Sequence, residues 1–174
     1  YNIAKKHIRK EELVLIAEGN MDVVALHQYG FNYSVGTMGT ALSENSARML
    51  SNMCKTIFLG MDSDPAGLKA MERINEMFMQ MNVLPKFLDY SPAKDPDDFL
   101  KEFGRLELLD RMEKAPTFLD YLIDKSLPNP IPETVDRKLE ALNDIFDLIT
   151  PLKDSLLAKE KAVEASKALG LRSS

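Results

Sequence analysis

Carboxylates stand at three places in this sequence where a carboxylate can do chemistry. Glu18 ends the apolar run "LVLIAEG", Asp62 and Asp64 sit in "FLGMDSDPAG", and Asp95 and Asp97 belong to "AKDPDDFL". Residues i and i+2 of an extended chain face the same way with Cα atoms on the order of 6–7 Å apart, so Asp62 and Asp64 can share one cation or hold two. Mg²⁺ takes hard oxygen ligands, few of them from protein and the rest from water and phosphate, and a sparse carboxylate set supplies that. The chemistry within reach is therefore the binding of phosphate through divalent ions.

A simpler role competes at two of these positions. Asp64 before Pro65 is an N-cap followed by proline at the first helical position, and Asp95 before Pro96 has the same form. Capping does not account for Asp62, nor for Glu18 between a strand end and Gly19, where a buried charge would need a partner. Capping and ligation are compatible, since each uses part of a carboxylate's acceptor capacity.

The elements that must position these groups follow from periodicity and punctuation. "ELVLIAEG" predicts a buried strand ending near Glu18, and "MDVVALHQYG" a helix closed by Gly30. "NYSVGTMG" predicts a second strand and its loop, Ser43 caps a helix through Met53, and "KTIFLGMD" is a third strand. From Pro65 the pattern places Leu68, Met71, Ile74, Phe78 and Met81 on one helical stripe. "VLPKFLDY" is a fourth strand whose Pro85 argues for an edge position or a strand start. "PDDFLKEF" is a short helix ending at Gly104. This alternation is that of an α/β domain with a mostly parallel four-stranded sheet flanked by helices, and in such sheets ligands bind beyond the carboxyl ends of the strands. Beyond Gly104 the segments are amphipathic, poor in β-formers and separated by Pro116, "LPNPIPE" and Pro151, which predicts a small all-helical unit over 104–174.

Composition narrows the partners. With 174 residues and 45% hydrophobic content the chain is long enough to bury a core. No apolar stretch approaches the roughly 18 residues that span a bilayer, so no membrane is expected and the cytoplasm is the default compartment. The net charge of −5 has the wrong sign for a domain that grips nucleic acid through a broad basic surface. The single cysteine, Cys54, excludes an internal disulfide and reads as a buried structural thiol. His7 and His27 fit no metal spacing, and the methionines read as core filling. Since the chain begins with Tyr1 and not Met, it is expected to be part of something longer.

In that order and at those separations, "AEGNMDVVAL", "VGTMGTALS", "FLGMDSDPAGLKAMERI" and "AKDPDDFL" resemble the Toprim domain of bacterial DnaG-type DNA primases. The likeness covers residues 11–103. Residues 1–10 resemble the segment leading into that domain, and 104–174 the helical subdomain that closes the primase catalytic core. The resemblance implies an enzyme that synthesises short RNA primers from ribonucleoside triphosphates on single-stranded DNA, by two-metal nucleotidyl transfer. It further implies that Glu18 is a metal ligand or acid/base, that Asp62 and Asp64 hold catalytic Mg²⁺ (Mn²⁺ substituting), and that Asp95 and Asp97 complete the acidic set. Gly19 and Gly67 would let backbone pass close to metal or phosphate, with plain turn glycines as the other reading. Gly39 and Thr40 would line a substrate loop. Lys94, with Lys86 and Arg105, would neutralise phosphates or simply be solvated. Asn20 and Met61 depart from the family, many of whose members carry aromatic residues there. A zinc-binding domain, a basic template-gripping subdomain and a C-terminal domain that binds the replicative helicase belong to such primases and lie outside this sequence. The chain alone is therefore expected to bind metal weakly and prime poorly. A Toprim nuclease or topoisomerase, and a non-catalytic interaction module whose acids only cap helices, are the competing readings. A phosphoaspartate enzyme is a more distant one.

Overall fold

Every second residue of the first strand points to the opposite face of the sheet, and both faces of that strand are covered. In the computed structural model, which describes residues 2–38 and 42–171, the order is α1 (Asn2–Glu11), β1 (Leu13–Ala17), α2 (Asn20–Gln28), β2 (Ser34–Gly36), α3 (Glu44–Met53) and β3 (Thr56–Leu59). There follow α4 (Pro65–Met79), β4 (Lys86–Phe87), α5 (Pro96–Lys114), α6 (Phe118–Ser126), α7 (Val135–Ile149) and α8 (Ser155–Ala168). The sheet is four-stranded and wholly parallel in the order β2-β1-β3-β4. Val14 and Ile16 pack with Ile57 and Leu59 against Ala4, Ile8, Leu50, Met71, Ile74 and Phe78 on one face. Leu15, Ala17 and Phe58 pack with Leu26, Phe31, Phe99, Leu108 and Met112 on the other. Pairing of Ile16 with Leu59 and of Ala17 with Gly36 brings the carboxyl ends of the central strands together.

Several elements differ from expectation. The lead-in segment is a helix, α1, whose Ala4 and Ile8 are buried in the core. β2 is shorter than "NYSVGTMG" because Ser34 N–H turns back to Phe31 O (3.1 Å), although Thr37 and Met38 still donate to Ala17 O and Glu18 O at 3.1 Å. β4 has only two residues. Its neighbouring amides are engaged by the segment before α6: Phe87 N–H donates to Pro116 O (2.9 Å) and Phe118 N–H to Pro85 O (2.7 Å). The helix over "PDDFLKEF" does break at Gly104, as expected, and a second helical stretch follows it directly within α5. The chain kinks there, with Gly104 at φ 77°, a conformation glycine adopts without Cβ strain, and α5 runs on to Lys114. Leu108 and Met112 thus join the sheet's own core, while α6, α7 and α8 share a separate cluster around Leu119, Ile145, Ile149 and Leu169. Lys161 fastens α8 to α6 by an ion pair to Asp120 (2.7 Å) and pairs with Glu164 (3.0 Å) within α8, its side chain only 14% exposed.

The methionines divide: Met61, Met71, Met79 and Met112 are buried, but Met21, Met38 and Met49 are exposed and fill no core. Cys54 is half-buried, its Sγ donates to Leu50 O (3.2 Å), and burial pushes its thiol up to about 11. Among the described residues no helix is long and apolar enough to cross a membrane.

Candidate active site

Glu18 leaves the end of β1, and Asp62 and Asp64 leave the end of the adjacent β3, so the two central strands deliver their carboxylates to one edge of the sheet. Asp64 is the N-cap of α4: its Oδ1 accepts from Gly67 N–H at 2.7 Å, with Pro65 in the first turn. Asp95 does the same for α5, accepting from Asp98 N–H at 2.8 Å. Both caps leave an oxygen free for other work.

Asp62 caps nothing. Its Oδ1 is buried without a hydrogen-bond partner, and so is Oε2 of Glu18. Burial, followed by the charges of Asp22, Glu18, Asp95 and Asp64, pushes the Asp62 carboxyl from 3.8 up to about 6. A buried carboxylate oxygen with no donor is unfavourable unless a cation or a proton answers it.

Two backbone contacts hold this loop. A side chain at position 67 would collide with the carbonyl oxygen of Asp62, so the first turn of α4 lies directly on the Asp62 peptide and only glycine fits. Ser63 N–H donates to Lys94 O at 2.9 Å, tying the loop after β3 to the loop before α5. At Gly19 a Cβ would come within 3.1 Å of Asp22 Oδ2, the atom that accepts from Gly19 N–H at 2.7 Å.

Asp22 is the site residue that sequence reasoning missed. It is only 9% exposed, and its carboxyl is raised chiefly by burial, against the Gly19 N–H that stabilises the charge. The charges of Asp95 and Asp97 raise it further and Lys94 opposes them, which brings the "EGNMD" and "KDPDD" segments into one electrostatic group. The available signal was the spacing in "EGNMD"; in isolation Asp22 reads as an ordinary acid in a helix's first turn. Tyr90 was missed as well: it is fully buried, and its hydroxyl has no partner.

The remaining expected residues are placed less centrally. Asp97 is drawn into a 2.6 Å ion pair with Lys101, and Lys94 is exposed. Gly39 and Thr40 lie outside the described residues. Lys86 and Arg105 do not serve the cluster. Lys86 Nζ lies over the Phe58 ring (5.9 Å), while Arg105 donates to Tyr29 O (3.0 Å) and covers Phe31 (5.5 Å). His27 Nε2 lies 3.1 Å from Ser34 O, in a packing role. Among the described residues no three acidic, histidine or cysteine side chains converge tightly enough to form a closed protein cage for a metal ion. An open carboxylate set with orphaned buried oxygens fits a hard ion that keeps water and phosphate as its other ligands.

Residues 15–100 match the family described as Toprim-like. The DNA primase of Clostridium acetobutylicum is 28% identical over 152 residues, covering 86% of this chain and 26% of that protein. The E. coli primase catalytic core superposes with a TM-score of 0.82 at 26% identity, covering 99% of this chain and 57% of that one. A DnaG primase catalytic domain bound to single-stranded DNA gives a TM-score of 0.77 at 25% identity over 94% of this chain and 54% of its own. The chain thus spans about a quarter of the length of the curated relative it matches.

Proposed function

The chain carries a Toprim-like domain and belongs with the catalytic core of bacterial DnaG-type primases, and from that premise we propose that it is the metal-binding part of an enzyme making short RNA primers on single-stranded DNA. One observation carries the proposal: Glu18 and Asp62, at the ends of adjacent parallel strands and close enough for the charge of one to act on the other, each hold a buried oxygen without a partner. The DNA-bound relative of the same fold supports a single-stranded template as partner.

In this reading Asp62 and Asp64 hold Mg²⁺, for which Mn²⁺ can substitute, Glu18 contributes a third carboxylate, and Asp95 and Asp97 complete the set. Bound metal supplies activation of the primer hydroxyl and neutralisation of charge on the departing pyrophosphate. The protein's own part is positional. The Asp64 cap fixes the second carboxylate to the α4 axis, Gly67 keeps the Asp62 peptide seated, and Asp22 fixes the turn after Glu18 through the Gly19 amide. Lys94, exposed beside Asp95, is placed to meet a phosphate, and Gly19, Gly39 and Thr40 belong to the substrate side. Residues 1–10 lead in from a preceding subdomain, 11–103 form the Toprim domain and 104–174 the helical subdomain. The work is done in the bacterial cytoplasm at the replication fork, with the helicase engaged through another part of the full protein.

A net charge of −5 leaves the grip on template to the basic subdomain of such primases, so the chain by itself primes poorly. The test joins the chain to the basic subdomain of a relative and measures template-dependent primer synthesis, with and without a combined Asp62→Ala, Asp64→Ala change. Loss of product on the double change is expected, and undiminished priming sinks the assignment. In the chain alone, Mn²⁺ should broaden NMR signals around Glu18, Asp62 and Asp64. Absence of any localised effect favours the non-catalytic module.

A further inference from the structure

Tyr90 has the features of a working group and no role in the account above. It is the largest of the fully buried side chains, its hydroxyl has no partner, and it lies outside the acidic motifs. Buried tyrosine hydroxyls usually find an acceptor. This one lies against Gly60, just beyond β3, and the carboxylates whose charge acts on it are Asp22, Asp62 and Asp95.

Of those three, two are already oriented by backbone. Asp22 Oδ2 takes the Gly19 amide and Asp95 Oδ1 takes the Asp98 amide. Asp62 alone has no such anchor, and its Oδ1 is the buried acceptor without a donor. A buried donor lacking an acceptor and a buried acceptor lacking a donor therefore stand close enough for each to feel the other's charge. The approach is made through Gly60, two residues before Asp62: a Cβ there would lie 2.5 Å from the Tyr90 hydroxyl, so glycine lets the phenol reach the strand end. Its ring stacks beside Phe99 at 5.8 Å, and the turn from Ala93 N–H to Tyr90 O (2.9 Å) fixes its backbone. Burial and the surrounding carboxylates push the phenol upward, which keeps it a donor.

We propose that Tyr90 is the positioning residue for Asp62, its hydroxyl donating through one ordered water to the carboxylate and so holding it in the orientation that meets the metal. A water is the bridge because the two groups make no direct bond, and a buried donor and a buried acceptor are the partners a water needs. The inference rests on the metal-site reading and deepens it. Outer partners of this kind orient ligands, and their loss lowers metal affinity about 10-fold or more.

The test is Tyr90→Phe, which removes only the oxygen, together with Asp62→Ala, both titrated with Mn²⁺ by electron paramagnetic resonance. Wild-type protein labelled at tyrosine ¹³Cζ is followed in parallel as Mg²⁺ is added. Expected are about 10-fold weaker Mn²⁺ binding in Tyr90→Phe with no fall in its metal-free melting temperature, and a Mg²⁺-dependent shift of the Tyr90 ¹³Cζ signal. Wild-type affinity in Tyr90→Phe, while Asp62→Ala loses binding, overturns the positioning role and leaves the metal site standing. Undiminished binding in Asp62→Ala overturns the metal site and this inference with it. If Tyr90→Phe does not fold, the ¹³Cζ signal decides, and its indifference to Mg²⁺ rejects the proposal.

Discussion

Replacing Asp62 by asparagine should stabilise the metal-free protein while removing metal binding, and the two effects have separate pH signatures. Folding carries this carboxyl from 3.8 up to about 6, because burial and the charges of Asp22, Glu18, Asp95 and Asp64 disfavour its ionised form. A shift of about two units corresponds to about 3 kcal/mol at full weight. Asp62 is only partly buried, and solvent screening reduces that to about 1–2 kcal/mol. The raised pKa means that the folded state takes up a proton relative to the unfolded one. The destabilisation is therefore absent below about pH 3.8, grows between there and about 6, and is complete above it. Asparagine imitates the protonated acid. Thermal unfolding in chelator at pH 8 should show Asp62→Asn melting above wild type by about 2–6 °C, shrinking to about a third of that at pH 4.5. Added Mn²⁺ should raise the wild-type midpoint and leave the variant unmoved, narrowing or reversing the order at pH 8. A variant that melts below wild type in chelator at pH 8, or an advantage that ignores pH, would refute the reasoning.

Further expectations test the supports of the same loop. Asp64→Asn keeps an N-cap acceptor for Gly67 and should hold stability within about 0.5 kcal/mol, whereas Asp64→Ala should lose about 1 kcal/mol; both should weaken Mn²⁺ binding, so calorimetry beside unfolding separates cap from ligand. Gly67→Ala forces a methyl into the Asp62 carbonyl and should cost about 2–4 kcal/mol in denaturant unfolding, well beyond an ordinary helix glycine-to-alanine change, which usually stabilises. Lys161→Ala leaves the Asp120 carboxylate without its partner between α6 and α8 and should cost about 1–3 kcal/mol, with hydrogen exchange rising in α8 and unchanged in β1 and β3.

The alternation of buried runs and amphipathic stripes made the parallel sheet and most of the helices legible, because burial on both faces of β1 and β3 leaves a direct trace in composition. The length of β4 was not legible. Its outer edge is occupied by the segment around Pro116 and Thr117, a non-local contact that nothing in "VLPKFLDY" announces. At the site, Asp62 stood out since a residue two before a cap cannot itself cap. Asp22 did not, because its burial depends on α5, distant in sequence, packing against α2. Lys86 and Arg105 were misplaced for a related reason: closeness in sequence does not say which face a long side chain takes, and both found aromatic rings.

The bond from Ser63 N–H to Lys94 O closes the intervening chain into a ring whose neck is at the carboxylates. Between its two ends run α4, the turn at Asn82 and β4, packed on the sheet. Its far end is the turn where Asn82 takes a positive φ of 58° beyond α4 and accepts from Asp154 N–H (2.8 Å), so a change of length there acts on the start of α8 and not on how Asp62 and Asp64 stand to Asp95. The fold thus offers a place for insertions, tags or reporter groups that the chemistry would not feel, and it lies at the opposite pole of the ring from the acids.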